Sequence, residues 1–151
     1  MKLLFDSSVW IEHFRHGALD GVFPALRGKL ALWMDGVVAA ELLAGCRGKR
    51  EERVVTGLLT PFERAGRVAV PLYPDFQRAA SALSRLRVRG KTLSNPGGAL
   101  LDALIGTVAV RIGALLVTTN MRDFEAIATQ LPLVLEPLDQ FAARLGTTPP
   151  R

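Results

Sequence analysis

The feature that most constrains this sequence is a long apolar segment, residues 100–124, which contains two aspartates. Its first part, Leu100 to Ile112, is apolar nearly all round, and this pattern is typical of a helix buried in a protein core. Asp102 lies on that helix, and Asp123 follows the apolar run that ends at Val117. An ionised carboxylate in such surroundings is costly unless a positive group compensates it. The segment therefore raises the question of what its two acids share.

Composition restricts the class of protein. With 151 residues, of which 49% are hydrophobic, the chain can bury a full core and is neither disordered nor fibrous. Its one cysteine, Cys46, excludes an internal disulfide and a cysteine-rich metal site. A lone cysteine also favours a reducing, cytoplasmic location. We expect no signal peptide, because only three apolar residues separate Lys2 from Asp6.

The apolar stretch from Gly97 to Val117 is long enough to suggest a membrane span, but Asp102 and Arg111 interrupt it. Gly113 divides it into a helix-like part and a strand-like part. We therefore expect no membrane span. No linker or internal repeat is visible, so the sequence predicts one domain over residues 1–146 followed by a short tail, residues 147–151.

The net charge of the chain is +5. A basic surface can simply be solvated, or it can bind a polyanion, since lysine and arginine gain affinity by displacing counterions from phosphates. Charge alone does not decide between these two interpretations.

Short apolar runs alternate with helical patterns along the whole chain. The predicted strands are residues 2–5, 30–34, 68–72, 115–117 and 133–135. The predicted helices are residues 9–14, 20–26, 37–44, 47–59, 74–88, 100–112, 124–129 and 138–145, with Pro61 expected to break the fourth. Such alternation predicts an α/β fold with a mostly parallel central sheet flanked by helices in three layers.

Four acids occupy comparable positions in this predicted fold. Asp6 follows the first strand, Glu41 lies in an apolar helix, and Asp102 and Asp123 lie as described above. Right-handed crossovers bring the carboxyl ends of parallel strands to one edge of the sheet, so we expect these acids to meet there. Taken singly, each has a plainer interpretation: Asp6 as a turn or capping residue, for example, and Glu41 as a partnered acid. Together they predict a site for a hard cation, Mg²⁺ or Mn²⁺, of the kind that assists phosphodiester cleavage.

Polar residues next to the acids could support such a site. Thr118, Thr119 and Asn120 precede Asp123 and could hydrogen-bond a carboxylate, a water or a phosphate, although Asn120 could equally cap the following helix. At the start of the chain, Ser7 or Ser8 is expected to cap the first helix.

The order and spacing of four motifs resemble those of the PIN-domain ribonucleases, in particular the VapC-like toxins of bacterial toxin–antitoxin pairs. The motifs are LLFDSSVWIE near the start, VVAAELLAG in the first third, LLDALIGTVAV and LVTTNMRDF. Together they extend over nearly the whole chain. The resemblance implies a PIN-like, Rossmann-like fold and Mg²⁺- or Mn²⁺-dependent cleavage of RNA.

The resemblance also implies roles for individual residues. The catalytic acids would be Asp6, Glu41, Asp102 and Asp123, and the metal ligands would be Asp6, Asp102 and Asp123, the last of these either directly or through water. Supporting residues would be Ser7 (expected to hold Asp6), Thr118 and Asn120. The family often has arginine where Thr119 stands, a departure that bears on RNA contact. The implied partners are an RNA substrate, a homodimer mate, and a cognate antitoxin whose tail enters the acidic pocket.

Other classes fit less well. An aspartyl-phosphate phosphatase would have a second aspartate where Ser8 stands, and a receiver domain would have acidic neighbours near its first strand. A dinucleotide-binding domain would have glycines after the first strand, and the GKT at residues 90–92 follows a helix and lacks the earlier glycine of a phosphate-binding loop. A non-toxin PIN-domain nuclease of RNA processing, or a non-catalytic RNA-binding module, stays open as the alternative.

Overall fold

The computed structural model describes residues 1–26 and 28–147 and contains one sheet flanked by helices. The strands are β1 (Lys2–Phe5), β2 (Ala31–Asp35), β3 (Val68–Ala69), β4 (Ala114–Thr118) and β5 (Val134–Pro137). The helices are α1 (Ser7–His16), α2 (Val22–Leu26), α3 (Gly36–Ala44), α4 (Lys49–Arg64), α5 (Tyr73–Val88), α6 (Ala99–Ile112), α7 (Met121–Ala128) and α8 (Leu138–Arg144). The predicted α/β fold is confirmed.

The strands of the sheet are all parallel and lie in the order β3-β2-β1-β4-β5. The chain therefore builds outward on one side from β1 and on the other side from β4. The carboxyl ends of these two strands form a topological switch point, which is where open α/β sheets bind their ligands. Phe5 pairs with Val117 in this register, so that Asp6 and Thr118 come next to each other at the switch point.

The centre of the sheet is the most deeply buried part of the molecule. Leu4 and Leu116 are fully buried and Phe5 is 1% exposed. The ring of Phe5 packs edge-on against Trp10 of α1 at 5.6 Å and against Phe141 of α8 at 5.9 Å. These contacts fix the start of α1, and therefore Asp6, relative to the sheet.

Helix α6 is the buried helix that the sequence predicts. Every residue from Ala103 to Ala109 is buried. Gly106 packs towards Ile127 of α7, and a Cβ atom at this position would lie in ordinary van der Waals contact, 3.5 Å from that side chain. Gly113 ends the helix with a φ of +65°, a left-handed conformation that suits glycine, and β4 begins at the next residue. Among the described helices, none is long and apolar enough to cross a membrane.

Two predicted features of the helices were wrong. Helix α1 begins at Ser7 rather than Val9, because Asp6, and not a serine, caps it by accepting a hydrogen bond from the Val9 backbone at 3.2 Å. Helix α4 continues through Pro61 to Arg64. Pro61 is exposed, so water can satisfy the carbonyl that loses its helical donor.

Other boundaries differ by smaller amounts. Strand β3 has two residues rather than five, because the carbonyl of Val70 accepts a hydrogen bond from Arg111 at 2.6 Å and Pro71 has no N–H for a sheet. Helix α2 begins at Val22 rather than at residue 20. Of the predicted tail, residues 148–151 lie outside the described residues.

Arg111 also forms an ion pair with Asp75, with Nε and Oδ2 2.7 Å apart, and Asp75 is fully buried. We predict that Arg111→Ala lowers the free energy of unfolding by about 3–5 kcal/mol, because it leaves a buried carboxylate without its partner. Denaturant unfolding followed by circular dichroism measures this change.

Arg144 provides the matched control, since its ion pair with Glu136 is at the surface and Arg144 is 49% exposed. Arg144→Ala should cost at most about 1 kcal/mol. Equal losses in the two variants would contradict the prediction.

Candidate active site

Asp6 lies at the carboxyl end of β1 and is 2% exposed. Its Oδ1 accepts hydrogen bonds from the Ser8 hydroxyl at 2.6 Å and from the Val9 backbone, and its Oδ2 accepts one from the Thr118 hydroxyl at 2.7 Å. Burial nevertheless raises the pKa of Asp6, since it outweighs these hydrogen bonds. The carboxylate is held in one orientation, but its negative charge is incompletely compensated.

The supporting hydroxyls join the two strand ends. The Ser8 oxygen accepts hydrogen bonds from the backbone N–H of Thr119 at 3.1 Å and from its hydroxyl at 2.7 Å. The Thr118 hydroxyl in turn accepts one from the Asn120 backbone at 2.8 Å. Sequence analysis expected Ser7 to hold Asp6, but the hydrogen bond comes from Ser8, which lies one residue further along the first turn of α1.

Glu41 lies in α3 and is half-buried. Burial raises its pKa; a hydrogen bond from Ser7 partly offsets this effect, and the charge of Asp6 adds to it. Within the described residues, its buried Oε2 has no hydrogen-bond partner. Glu41 therefore offers a free carboxylate oxygen next to Asp6.

Asp102 lies in the first turn of α6. Burial raises its pKa to about 7, and the negative charges of Asp6, Glu41 and Asp123 raise it as well. Asp102 is therefore within electrostatic reach of each of the other three predicted acids. At neutral pH too little positive charge surrounds these acids for all of them to be ionised at once.

Asp123 has different surroundings from the other three acids. It lies in the first turn of α7 and is 1% exposed. Its Oδ1 accepts a hydrogen bond from the Ser94 backbone at 2.7 Å, and its Oδ2 accepts one from the Asn120 side chain at 3.4 Å. Burial alone would raise its pKa, but hydrogen bonds from Ser94, Asn120 and Asn95 outweigh burial and lower it. Asp123 is a stabilised anion with both oxygens engaged.

Sequence analysis missed a fifth acid at this edge of the sheet. Asp35 ends β2 and caps α3, as Asp6 ends β1 and caps α1, and its Oδ1 accepts a hydrogen bond from the Val37 backbone at 2.7 Å. Asp35 is fully buried, and burial raises its pKa to about 7, although the backbone of α3 and the charge of Arg111 lower it. The sequence signal is an aspartate at the end of an apolar run, and because Gly36 follows it, the same pattern is also typical of a turn.

The donor set determines which cofactor the site could hold. The donors are carboxylate and hydroxyl oxygens, which suit a hard cation such as Mg²⁺ or Mn²⁺. In the described part of the chain, no three side chains of His, Cys, Asp or Glu lie close enough together to bind one ion directly. Mg²⁺ commonly keeps several waters and takes one or two carboxylates. Such a cation would give the free oxygen of Glu41 a partner and would compensate the negative charge around Asp102, whose pKa is raised. The residues present therefore fit a cation of this kind.

Comparison with known proteins gives both a family and a fold. The family model of the PIN domain matches residues 3–130. Among curated proteins, none matches the chain significantly.

Solved structures with the same fold include VapBC-1 from nontypeable Haemophilus influenzae, with a TM-score of 0.67 and 20% identity over 91% of this chain and 98% of that chain. DNA-bound VapBC from Salmonella typhimurium gives a TM-score of 0.69 with 17% identity over 91% and 98% of the two chains. FitAcB from Neisseria gonorrhoeae gives 0.65 with 20% identity over 89% and 96%.

The raised pKa of Asp102 predicts how the stability of the metal-free protein depends on pH. The folded state holds this proton more tightly than the unfolded state, in which the pKa has its ordinary value, so stability is highest at low pH and falls as the pH rises through about 7. In EDTA, Asp102→Asn should therefore be more stable than the parent chain by about 1–2 kcal/mol at pH 8, after discounting for solvent screening. At pH 5 the difference should be smaller than at pH 8, because part of the range between the ordinary pKa of 3.8 and about 7 still lies above that pH. Denaturant unfolding at both pH values measures this.

Asp139, which is exposed, supplies the control. Asp139→Asn should show no such dependence on pH. A stability difference for Asp102→Asn that is the same at pH 5 and pH 8 would count against the electrostatic interpretation.

Proposed function

The chain belongs to the PIN domain family, and we propose that it is a metal-dependent endoribonuclease that acts as the toxin of a type II toxin–antitoxin pair. PIN domains are generally nucleases. The observation that supports the proposal best is the approach of Asp6, Glu41, Asp102 and Asp123 to one region at the switch point of the sheet. We also propose that residues 1–146 form the catalytic unit, with residues 147–151 as a tail.

Each acid has a role that follows from its surroundings. Asp6 and Asp102, whose pKa values are raised, would hold Mg²⁺ or Mn²⁺. Asp123 would act through water, because hydrogen bonds already stabilise its charge and lower its pKa. When bound, the cation would neutralise a phosphoryl oxygen and favour attack by water. Glu41, with a free oxygen and a raised pKa, is suited to accept a proton from the attacking water.

The supporting residues would keep these acids in place. Thr118 and Ser8 donate hydrogen bonds to the two oxygens of Asp6, so its carboxylate cannot rotate. Asn120 contributes its side chain to Asp123 and its backbone to Thr118. Rigid placement of this kind lowers the reorganisation that the reaction requires.

RNA is proposed as the substrate because of the family resemblance and the net charge of +5. A non-catalytic RNA-binding module or an RNA-processing nuclease would have the same fold. The presence of all four acids favours a catalytic role over the module. Genomic context separates toxin from processing enzyme, since a toxin would lie beside a short reading frame for its antitoxin.

A groove between α1, α3 and α4 suggests how an antitoxin would bind. It has a volume of about 720 Å³, and its lining includes Phe14, Leu42, Val54 and Glu41. Phe14 is 41% exposed and Val54 is 53% exposed, and both line the same groove, so the groove offers apolar surface to a partner. Because Glu41 belongs both to the groove and to the acid cluster, a chain lying in the groove could extend a basic side chain to the acids. The similar structures include VapBC and FitAB complexes.

We also propose, from the family resemblance, that the chain forms a homodimer and acts in the cytoplasm. Analytical ultracentrifugation of the purified chain tests the first point.

We predict that Asp6→Asn and Asp102→Asn each lower the rate of RNA cleavage by about 10²-fold or more, because each removes charge from the cation site. Cleavage of a labelled RNA should stop in EDTA and return with added Mg²⁺ or Mn²⁺. Glu63→Gln, at an exposed acid near the end of α4 and before the start of β3, should keep parental activity. Full activity in either site variant, or in EDTA, would contradict the proposal.

We predict that Phe14→Asp weakens binding of the protein encoded by the adjacent reading frame by at least about tenfold, because it places a charge in the apolar groove. Cleavage of RNA by the free chain should persist. Val134→Asp is the control, since Val134 is 61% exposed on the edge strand β5. Isothermal titration calorimetry measures both affinities, and equal affinities would rule out this groove.

A further inference from the structure

The loop between α5 and α6 folds onto the acid site through contacts that the proposed chemistry does not use. The backbone N–H of Ser94 donates to Asp123 across 29 positions of sequence at 2.7 Å, and the backbone of Asn95 adds a second hydrogen bond. The loop then leads into α6, whose first turn carries Asp102. It is therefore held against the site at its middle and at its end.

The start of this loop has an equally well-defined geometry. Gly90 has a φ of +68°, its N–H donates to the carbonyl of Arg87 at 2.9 Å, and the N–H of Lys91 donates to the carbonyl of Leu86 at 3.0 Å. This pattern closes a helix with a left-handed glycine. As a result, Arg87, Arg89 and Lys91 lie at a fixed turn at the base of the loop, and all three are exposed.

These cations are also without acidic partners. Among the described residues, none of Arg87, Arg89 and Lys91 forms an ion pair, whereas Arg111 and Arg144 do. Exposed cations with no intramolecular partner are available for an external anion.

The acid site creates a need for such cations. It brings carboxylates together, including the fully engaged anion Asp123, and negative charge of this kind repels the phosphates of an approaching strand. A cation at the centre would bind only the phosphate at which cleavage occurs. The flanking phosphates must be held by positive groups at the rim, and the loop that contacts Asp123 brings three of them to its base.

We propose that residues 87–98, here called the basic arm, hold the phosphate backbone of the RNA strand beside the acid site, and that Asp123 latches this arm in place. The proposal rests on the nuclease function proposed above and identifies a binding element for its substrate. Asp123 acts here as a positioning residue.

The first test removes charge from the arm. The double variant Arg89→Gln, Lys91→Gln should bind labelled single-stranded RNA about tenfold more weakly at low salt in EDTA, measured by fluorescence anisotropy. The slope of log Kd against log salt concentration should fall by about 1.4, or about 0.7 for each phosphate contact. With Mg²⁺ present, KM should rise while kcat at saturating RNA stays near the parental value.

The double variant Arg64→Gln, Arg67→Gln is the matched control. It removes the same charge from exposed positions at the end of α4 and before β3, near the opposite edge of the sheet. It should leave the affinity for RNA within about twofold. If both double variants lose affinity equally, the effect comes from net charge and the arm has no special role.

The second test separates the latch from simple electrostatics. Asp123→Ala removes a negative charge near the bound phosphates, so by charge alone it should tighten RNA binding in EDTA. Loss of the hydrogen bonds from Ser94 and Asn95 should instead free the arm and weaken binding by several-fold. At pH 8, above the pKa of about 7, Asp102→Asn removes a comparable charge without touching the latch, and it should bind RNA as tightly as the parent chain or more tightly. Tighter binding by Asp123→Ala would overturn the latch.

These outcomes are distinct from failure of the proposed function. If the parent chain neither binds nor cleaves RNA, the nuclease proposal itself fails. If the parent chain cleaves RNA and the arm variant keeps its affinity and salt slope, only the arm is refuted. Binding of the arm to the antitoxin instead of RNA would appear as weakened antitoxin affinity with unchanged RNA affinity, and it would overturn the proposal.

Discussion

Repulsion among carboxylates confined at one edge of a sheet is the interaction on which this structure depends. The fold reduces that repulsion by using helix starts: Asp6 caps α1, and Asp102 and Asp123 lie in the first turns of α6 and α7. Free backbone N–H groups and the helix dipole favour negative charge there. The compensation is incomplete, because the pKa of Asp102 still rises to about 7. The negative charge of the site is therefore only partly compensated by the chain, and an external positive group can compensate the rest.

A second group of buried acids, Asp75 and Asp35, lies beside a cation supplied by the chain, Arg111. Asp75 accepts hydrogen bonds from the Leu72 backbone at 2.8 Å and from Arg111 at 2.7 Å. Arg111 also lowers the pKa of nearby Asp35, although burial dominates there. In this group the cation belongs to the chain itself, so the acids serve the fold. Near Asp6 and Asp102 the chain forms no such ion pair among its described residues, and this difference marks a ligand site more clearly than the presence of acids does.

Much of the fold could be predicted from the sequence, because apolar runs and helix periodicity report burial locally. The order of elements and the burial of α6 follow from such patterns. The positions of Asp6 and Asp102 follow as well, since each interrupts a pattern that predicts burial. Capping was less predictable: Asp6 took the role assigned to a serine, and Asp35 looked like a turn because Gly36 follows it. The contact between Ser94 and Asp123 could not be predicted, since no local pattern records a hydrogen bond across a loop and a helix.

The geometry also suggests why one acid site could serve two macromolecules without one surface serving both. Glu41 opens towards the groove between α1, α3 and α4, while Asp123 is attached to the basic arm. The charges of both acids raise the pKa of Asp102, so Asp102 is within electrostatic reach of each of them. A protein in the groove and an RNA on the arm would then compete only at the acids. There the protein would supply a basic side chain, whereas the RNA phosphate would require a bound cation. Under the two proposals, the acid cluster is the single point at which an inhibitor could stop cleavage without displacing the whole substrate.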